Sequence, residues 1–151
     1  MDLGLSSQFP TLKGHRDVVG IVVVSHGLLA EGLKNAAEMI VGQQERFRAL
    51  GMDPAADLDR LRSEIEAAVA DVANPDGALV LVDMMGGSPS NASAYLATSG
   101  TPVVCGVNLP ILLEILMVRE SSTASDLAEL ALQTGKESIL NLGDRLRGAG
   151  G

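Results

Sequence analysis

The stretch GIVVVSHGLL, residues 20–29, changes character in its middle. Up to Val24 it is a continuous β-branched run, the pattern of a parallel strand covered on both faces. Ser25 and His26 then close the run, and Gly27 follows. A histidine at the last position of a buried strand is held by the sheet and still reaches the surface. Imidazole in general titrates near neutrality (about 6.5 unperturbed), so a neutral ring is an available nucleophile at cellular pH.

Beyond this stretch, strands and helices alternate. VVGIVVVS (18–25) is the first strand, and LLAEGLKNAAEMIVG (28–42) reads as a helix with Leu29, Leu33, Ala36, Ala37 and Ile40 on one face. RFRALGM (46–52) is a short second strand. The helix in DLDRLRSEIEAAVADVA (57–73) turns Leu58, Leu61, Ile65, Ala68 and Val72 inward. Asn74-Pro75-Asp76-Gly77 is a turn, followed by the strand ALVLVD (78–83). A glycine loop, MMGGSPS, enters a helix, and TPVVCGV (101–107) is the fourth strand. Two more helices follow, in LPILLEILMVRE and TASDLAELALQTG. KESILNL (136–142) reads as one further short strand.

This alternation predicts a doubly wound α/β fold with right-handed crossovers. The economical order of its parallel strands is 2-1-3-4, with helices on both faces. The first and third strands then lie side by side, and the crevice at their carboxyl ends is where open α/β sheets place ligands. The domain is expected over 18–142, with a flexible extension over 1–17 and a polar tail over 143–151. His15 falls in the extension and is read as inert.

Composition narrows the function. The 151 residues carry a formal net charge of −8, which disfavours nucleic acid and anionic membrane and suits a basic protein partner. Hydrophobic residues make up 46%, yet there is no Trp, one Tyr and two Phe, so the core is aliphatic. Cys105 stands alone, which excludes an internal disulfide and a thiol-rich metal site; it reads as a small buried hydrophobe. No run reaches the ~18 apolar residues of a membrane span, and no signal peptide opens the chain. No metal site and no cofactor is expected, and a cytoplasmic location is the default.

Three elements meet in the crevice. His26 ends strand one. Asp83 ends strand three beside it and can hold the other ring nitrogen, fixing the tautomer and supporting positive charge on the ring. In GGSPSNA (86–92), Gly86 and Gly87 allow a tight turn, Ser88 suits an N-cap and Pro89 the first helical position. A helix start of that kind favours a bound anion such as phosphate. Competing chemistries fit less well. A nucleophile elbow needs G-x-S-x-G, and GGSPS has serine at the last position. A flavin site would want stacking aromatics. A receiver would place acids after strand one, where Ser25-His26 stand.

Taken together, IVVVSHGLLAEGLKNAAEMIVG (21–42), ALVLVDMMGGSPSNAS (78–93) and GVNLPILLEIL (106–116) closely resemble the enzyme IIA domain of the mannose-type sugar phosphotransferase system. The motifs are S-H-G, D-x-x-G-G-S-P-x-N-A and G-V-N-L-P, in order. The resemblance implies a free-standing IIA in which His26 accepts a phosphoryl group from the histidine phosphocarrier protein and passes it to a IIB component. It also implies that Asp83 orients His26, and that Gly27, Gly86, Gly87 and Ser88 receive the phosphoryl oxygens. Met84-Met85 stand where the family often has Leu with an aromatic residue. The family further implies a homodimer with exchanged carboxyl-terminal strands. A regulatory IIA without transport, and a receiver-like or small-ligand-binding α/β module, are the alternative readings.

Overall fold

The computed structural model describes residues 17–150, and for 149–150 only the backbone. The expectations for residues 1–16, including His15, lie outside the described residues. The strands are β1 (Gly20–His26), β2 (Phe47–Met52), β3 (Ala78–Val82) and β4 (Val103–Cys105). All three pairings are parallel and the order is β2-β1-β3-β4, as the alternation of elements predicts.

The period-2 alternation of β1 divides the interior in two. Val19, Ile21 and Val23, with Leu79 and Leu81 of β3, pack against helices α1 (Leu29–Val41), α4 (Leu109–Val118) and α5 (Ala124–Ser138). Val22, Val24, Val80 and Val82 face α2 (Leu58–Val72) and α3 (Ser88–Thr98) on the opposite side. Ile21, Ile65, Leu79, Leu81 and Leu112 are fully buried, each worth about 1.5–3 kcal/mol of transfer free energy. Among the described residues, no helix is long and apolar enough to cross a membrane.

Capping explains where several helices begin. Asp57 accepts the Asp59 amide at the start of α2, and Asn108 accepts the Ile111 amide at the start of α4. Thr123 and Asp126 form a reciprocal capping box on α5. Arg119 follows α4 and is buried. Its guanidinium donates to the carbonyls of Val19, Glu45 and Arg46 and to Gln44 Oε1, tying the amino ends of β1 and β2 to the end of α4. Burial, the largest influence, pulls its pKa down to about 10.

Two expectations are corrected. The strand expected over 136–142 does not form. α5 continues through Ser138, whose hydroxyl donates to the Gly135 carbonyl and accepts from Asn108 Nδ2. Asn141 then accepts the Asp144 amide and opens helix α6 (Leu142–Gly150), so the segment expected as a polar tail is helical. The face of α1 is also shifted. Ala30 and Ala37 are buried with Leu33 and Val41 packed beside them, whereas Leu29 and Ile40 are exposed.

Candidate functional site

β1 carries the site. Continuing its alternation past Val22 and Val24 sends His26 toward the α2/α3 side, where the loop before α3 lies. His26 still pairs in register with Met52 of β2, so its backbone is held by the sheet. Its side chain is 44% exposed.

Asp83 directly follows β3. Its amide donates to the Val24 carbonyl at 3.2 Å, which sets the residue against the end of β1. Asp83 Oδ2 accepts the His26 backbone amide at 3.0 Å and lies 2.8 Å from His26 Nδ1, while Oδ1 accepts the Met84 amide at 3.0 Å. The carboxylate is only 10% exposed. Burial alone would raise its pKa. The hydrogen bonds from the His26 amide and ring, the charge of that ring and the Met84 amide outweigh burial and hold the pKa below the ordinary value. An ionised Asp83 makes Nδ1–H the donor and leaves Nε2 as the free lone pair of the neutral ring.

The glycine loop lies on the Nε2 side. A Cβ on Gly87 would come within 2.7 Å of His26 Cε1 and 3.1 Å of Nε2, so only glycine admits the ring at this place. Gly86 and Gly27 both have positive φ, 91° and 53°, as tight turns require. The cap of α3 differs from expectation. Gly87, with extended backbone, is the N-cap, and Ser88 is the first helical residue ahead of Pro89. Gly87 has no side chain to occupy the helix start, and the first amides have no intrahelical acceptors. The arrangement puts Asp83 against one nitrogen of the His26 ring and Gly87 against its Cε1–Nε2 edge, with Gly86 and Ser88 flanking Gly87 in the chain. Gly27 directly follows His26, in the turn that leads into α1. Cys105 is exposed at the end of β4, with its sulfur 3.9 Å from Ser90 Oγ, and is not the buried hydrophobe expected.

Two residues near the site had no role in the sequence reading. Ser25 is fully buried; its Oγ accepts the Ala30 amide at 2.7 Å and donates to the His26 carbonyl at 3.0 Å. Gly51 of β2 backs the Gly27 turn, where a Cβ would meet the Gly27 carbonyl oxygen at 2.1 Å. The signals were a hydroxyl closing a wholly aliphatic run and a glycine near the end of a strand. Leu28 and Leu29, just after His26 and Gly27, and Met84 and Met85, just after Asp83, are exposed apolar side chains.

Residues 20–132 match the family model described as the PTS system fructose IIA component. The chain belongs to this enzyme IIA family. Enzyme IIA components of the phosphotransferase system are phosphotransferases that carry a phosphoryl group on histidine. The chain is 36% identical over 124 residues to the mannose-specific EIIAB component of Escherichia coli strain K12, a match covering 80% of this chain and 38% of that protein. It is 31% identical to the fructose-specific EIIA component of Bacillus subtilis, over 73% of this chain and 77% of that one. The crystal structure of the EIIA component from Streptococcus agalactiae superposes with a TM-score of 0.76 at 26% identity, covering 83% of this chain and 98% of that one. The receiver-like and ligand-binding alternatives give way to this family.

Proposed function

We propose that this chain is a phosphoryl carrier in which His26 Nε2 is the acceptor and Asp83 the orienting partner. The observation that carries the assignment is the 2.8 Å contact between Asp83 Oδ2 and His26 Nδ1, which leaves Nε2 facing the glycine loop. The Nε2 lone pair attacks phosphorus as the P–N bond to the donor's histidine breaks, and the donor ring recovers those electrons. The proton on Nδ1 stays in place, and Asp83 offsets the positive charge on the ring. Backbone amides at the start of α3 and the Ser88 hydroxyl take the phosphoryl oxygens; Gly27 leaves room for the incoming group. Positioning and charge stabilisation are what a loose phosphoryl transfer requires of a protein.

The donor in this reading is the histidine phosphocarrier protein and the acceptor a IIB component, both docking on the exposed Leu28, Leu29, Met84 and Met85. The mannose- and fructose-specific names of the relatives support service to sugar uptake, with the chain working in the cytoplasm. Labelling from phosphoenolpyruvate through enzyme I and the phosphocarrier tests it, followed by a chase with a IIB protein. Label that enters and then leaves the chain supports carriage. A chain that stays unlabelled contradicts it.

The chain in this reading is also a homodimer. Ile139 and Leu140, in the link after α5, and Leu142 and Leu146 of α6 are exposed, and a second copy would cover them. Light scattering at micromolar concentration should give twice the chain mass, and deletion from Lys136 onward should abolish pairing. A monomeric full-length chain would refute this.

A further inference from the structure

The helix after His26 has an unusual start. Its N-cap, Leu28, offers no side-chain hydrogen bond, and the first turn of α1 takes its acceptor from the preceding strand instead. Ser25 Oγ receives the Ala30 amide and at the same time donates to the carbonyl of His26. One buried hydroxyl therefore joins the end of β1, the main chain of His26 and the start of α1. On the other side of the turn, the Gly27 amide donates to the Met52 carbonyl at 2.8 Å, and Gly51 lets the Gly27 carbonyl lie flat against β2.

We propose that Ser25 and Gly51 are positioning residues for phosphoryl transfer, holding the His26–Gly27 turn from its two sides. The inference rests on the phosphoryl-carrier reading of His26. Neither residue touches the reacting atoms. Without the Ser25 hydroxyl, the buried Ala30 amide loses its acceptor and the His26 carbonyl its donor, so the turn has lost the bond that fixes it. A methyl at Gly51 displaces the same turn by contact. Met84 and Met85 are untouched by either change, whereas Leu28 and Leu29 ride on the turn itself, so the saturating rate rather than KM is the readout of transfer geometry.

The test measures initial phosphorylation rates at rising phosphocarrier concentration for the parent, Ser25→Ala, Ser25→Thr and Gly51→Ala. Ile65→Val, a small truncation in the buried α2 core, serves as a control for lost stability. Misplaced transfer geometry should lower the saturating rate of Ser25→Ala and Gly51→Ala by about tenfold or more, beyond any change in KM. Ser25→Thr, which keeps the hydroxyl, should recover most of the rate, and Ile65→Val should keep it despite a lower unfolding midpoint. A parental rate in Ser25→Ala, or equal slowing in Ile65→Val, would overturn the proposal while leaving the carrier reading intact. A parent chain that takes no label would overturn both.

Discussion

Asp83 Oδ2 holds His26 twice, through the backbone amide at 3.0 Å and through ring Nδ1 at 2.8 Å. One oxygen atom thereby bonds both the main chain and the ring of a residue whose backbone β2 also holds. Loss of the Asp83 side chain removes both bonds at once.

Asp83→Asn keeps the shape of the site but puts a neutral amide where the ring needs a counter-charge. An amide can also present its N–H₂ to Nδ1 and select the wrong tautomer. Phosphorylation should slow on the order of 10-fold or more, the lower end of the range for losing a carboxylate that orients a histidine. Circular dichroism should be unchanged. Rates equal to those of the parent would remove Asp83 from the orienting role.

The same contact predicts how stability responds to acid. Burial pushes the Asp83 pKa up, but the bonds from the His26 amide and ring and from the Met84 amide bring it below 3.8. A folded-state value below the unfolded one means that the unfolded chain takes up the proton first as pH falls. Stability from Asp83 is therefore complete above the unfolded value and is lost as pH drops through the depressed one. Denaturant titrations of parent and Asp83→Asn should differ by a constant amount from neutrality down to the ordinary carboxylate range, and the gap should close below it. A gap that widens in acid would contradict this sign.

Gly87→Ala tests the space on the other side of the ring. The new methyl would stand 2.7 Å from His26 Cε1 and 3.1 Å from Nε2, a distance at which the ring or the loop must move. Backbone strain is not the issue, because Gly87 has φ near −95°. The expected result is a folded protein whose phosphorylation falls about a hundredfold. A rate near that of the parent would show that the Nε2 side tolerates filling.

Arg119→Met separates fold from site. The buried guanidinium satisfies three backbone carbonyls and Gln44 Oε1 at the amino ends of the strands, away from His26. Methionine fills similar volume and satisfies none of them, so unfolding free energy should drop by about 3 kcal/mol. The phosphorylation rate of the folded variant should be unchanged.

The sheet and its switch point were legible because β-branched runs and turn residues alternate cleanly along the chain. His26 and Asp83 were legible because each ends such a run. What the pattern hid has local causes. In α1 the sheet-facing positions are the small Ala30 and Ala37, which permit close approach, whereas Leu29 and Ile40 drew the eye to an exposed face. KESILNL resembles a strand by composition. Ser138 extends α5 through its bonds to Gly135 and Asn108, and Asn141 caps a new helix. α4 packs against α1 and α5, which buries Ile111, Leu112, Ile115 and Leu116. The role of Ser25 is not legible in the sequence because its partner is an amide five residues on, a contact that only the folded turn creates.

The measurement that bears most directly on the account is the site of the phosphoryl group. The chain is labelled from phosphoenolpyruvate through enzyme I and the phosphocarrier, and the label is mapped by fragmentation and by phosphorus–nitrogen coupling. All label should lie on Nε2 of His26, survive alkali and be lost in acid, and none should appear on His26→Ala. Label on Nδ1, on an aspartate or on the His26→Ala variant would contradict it.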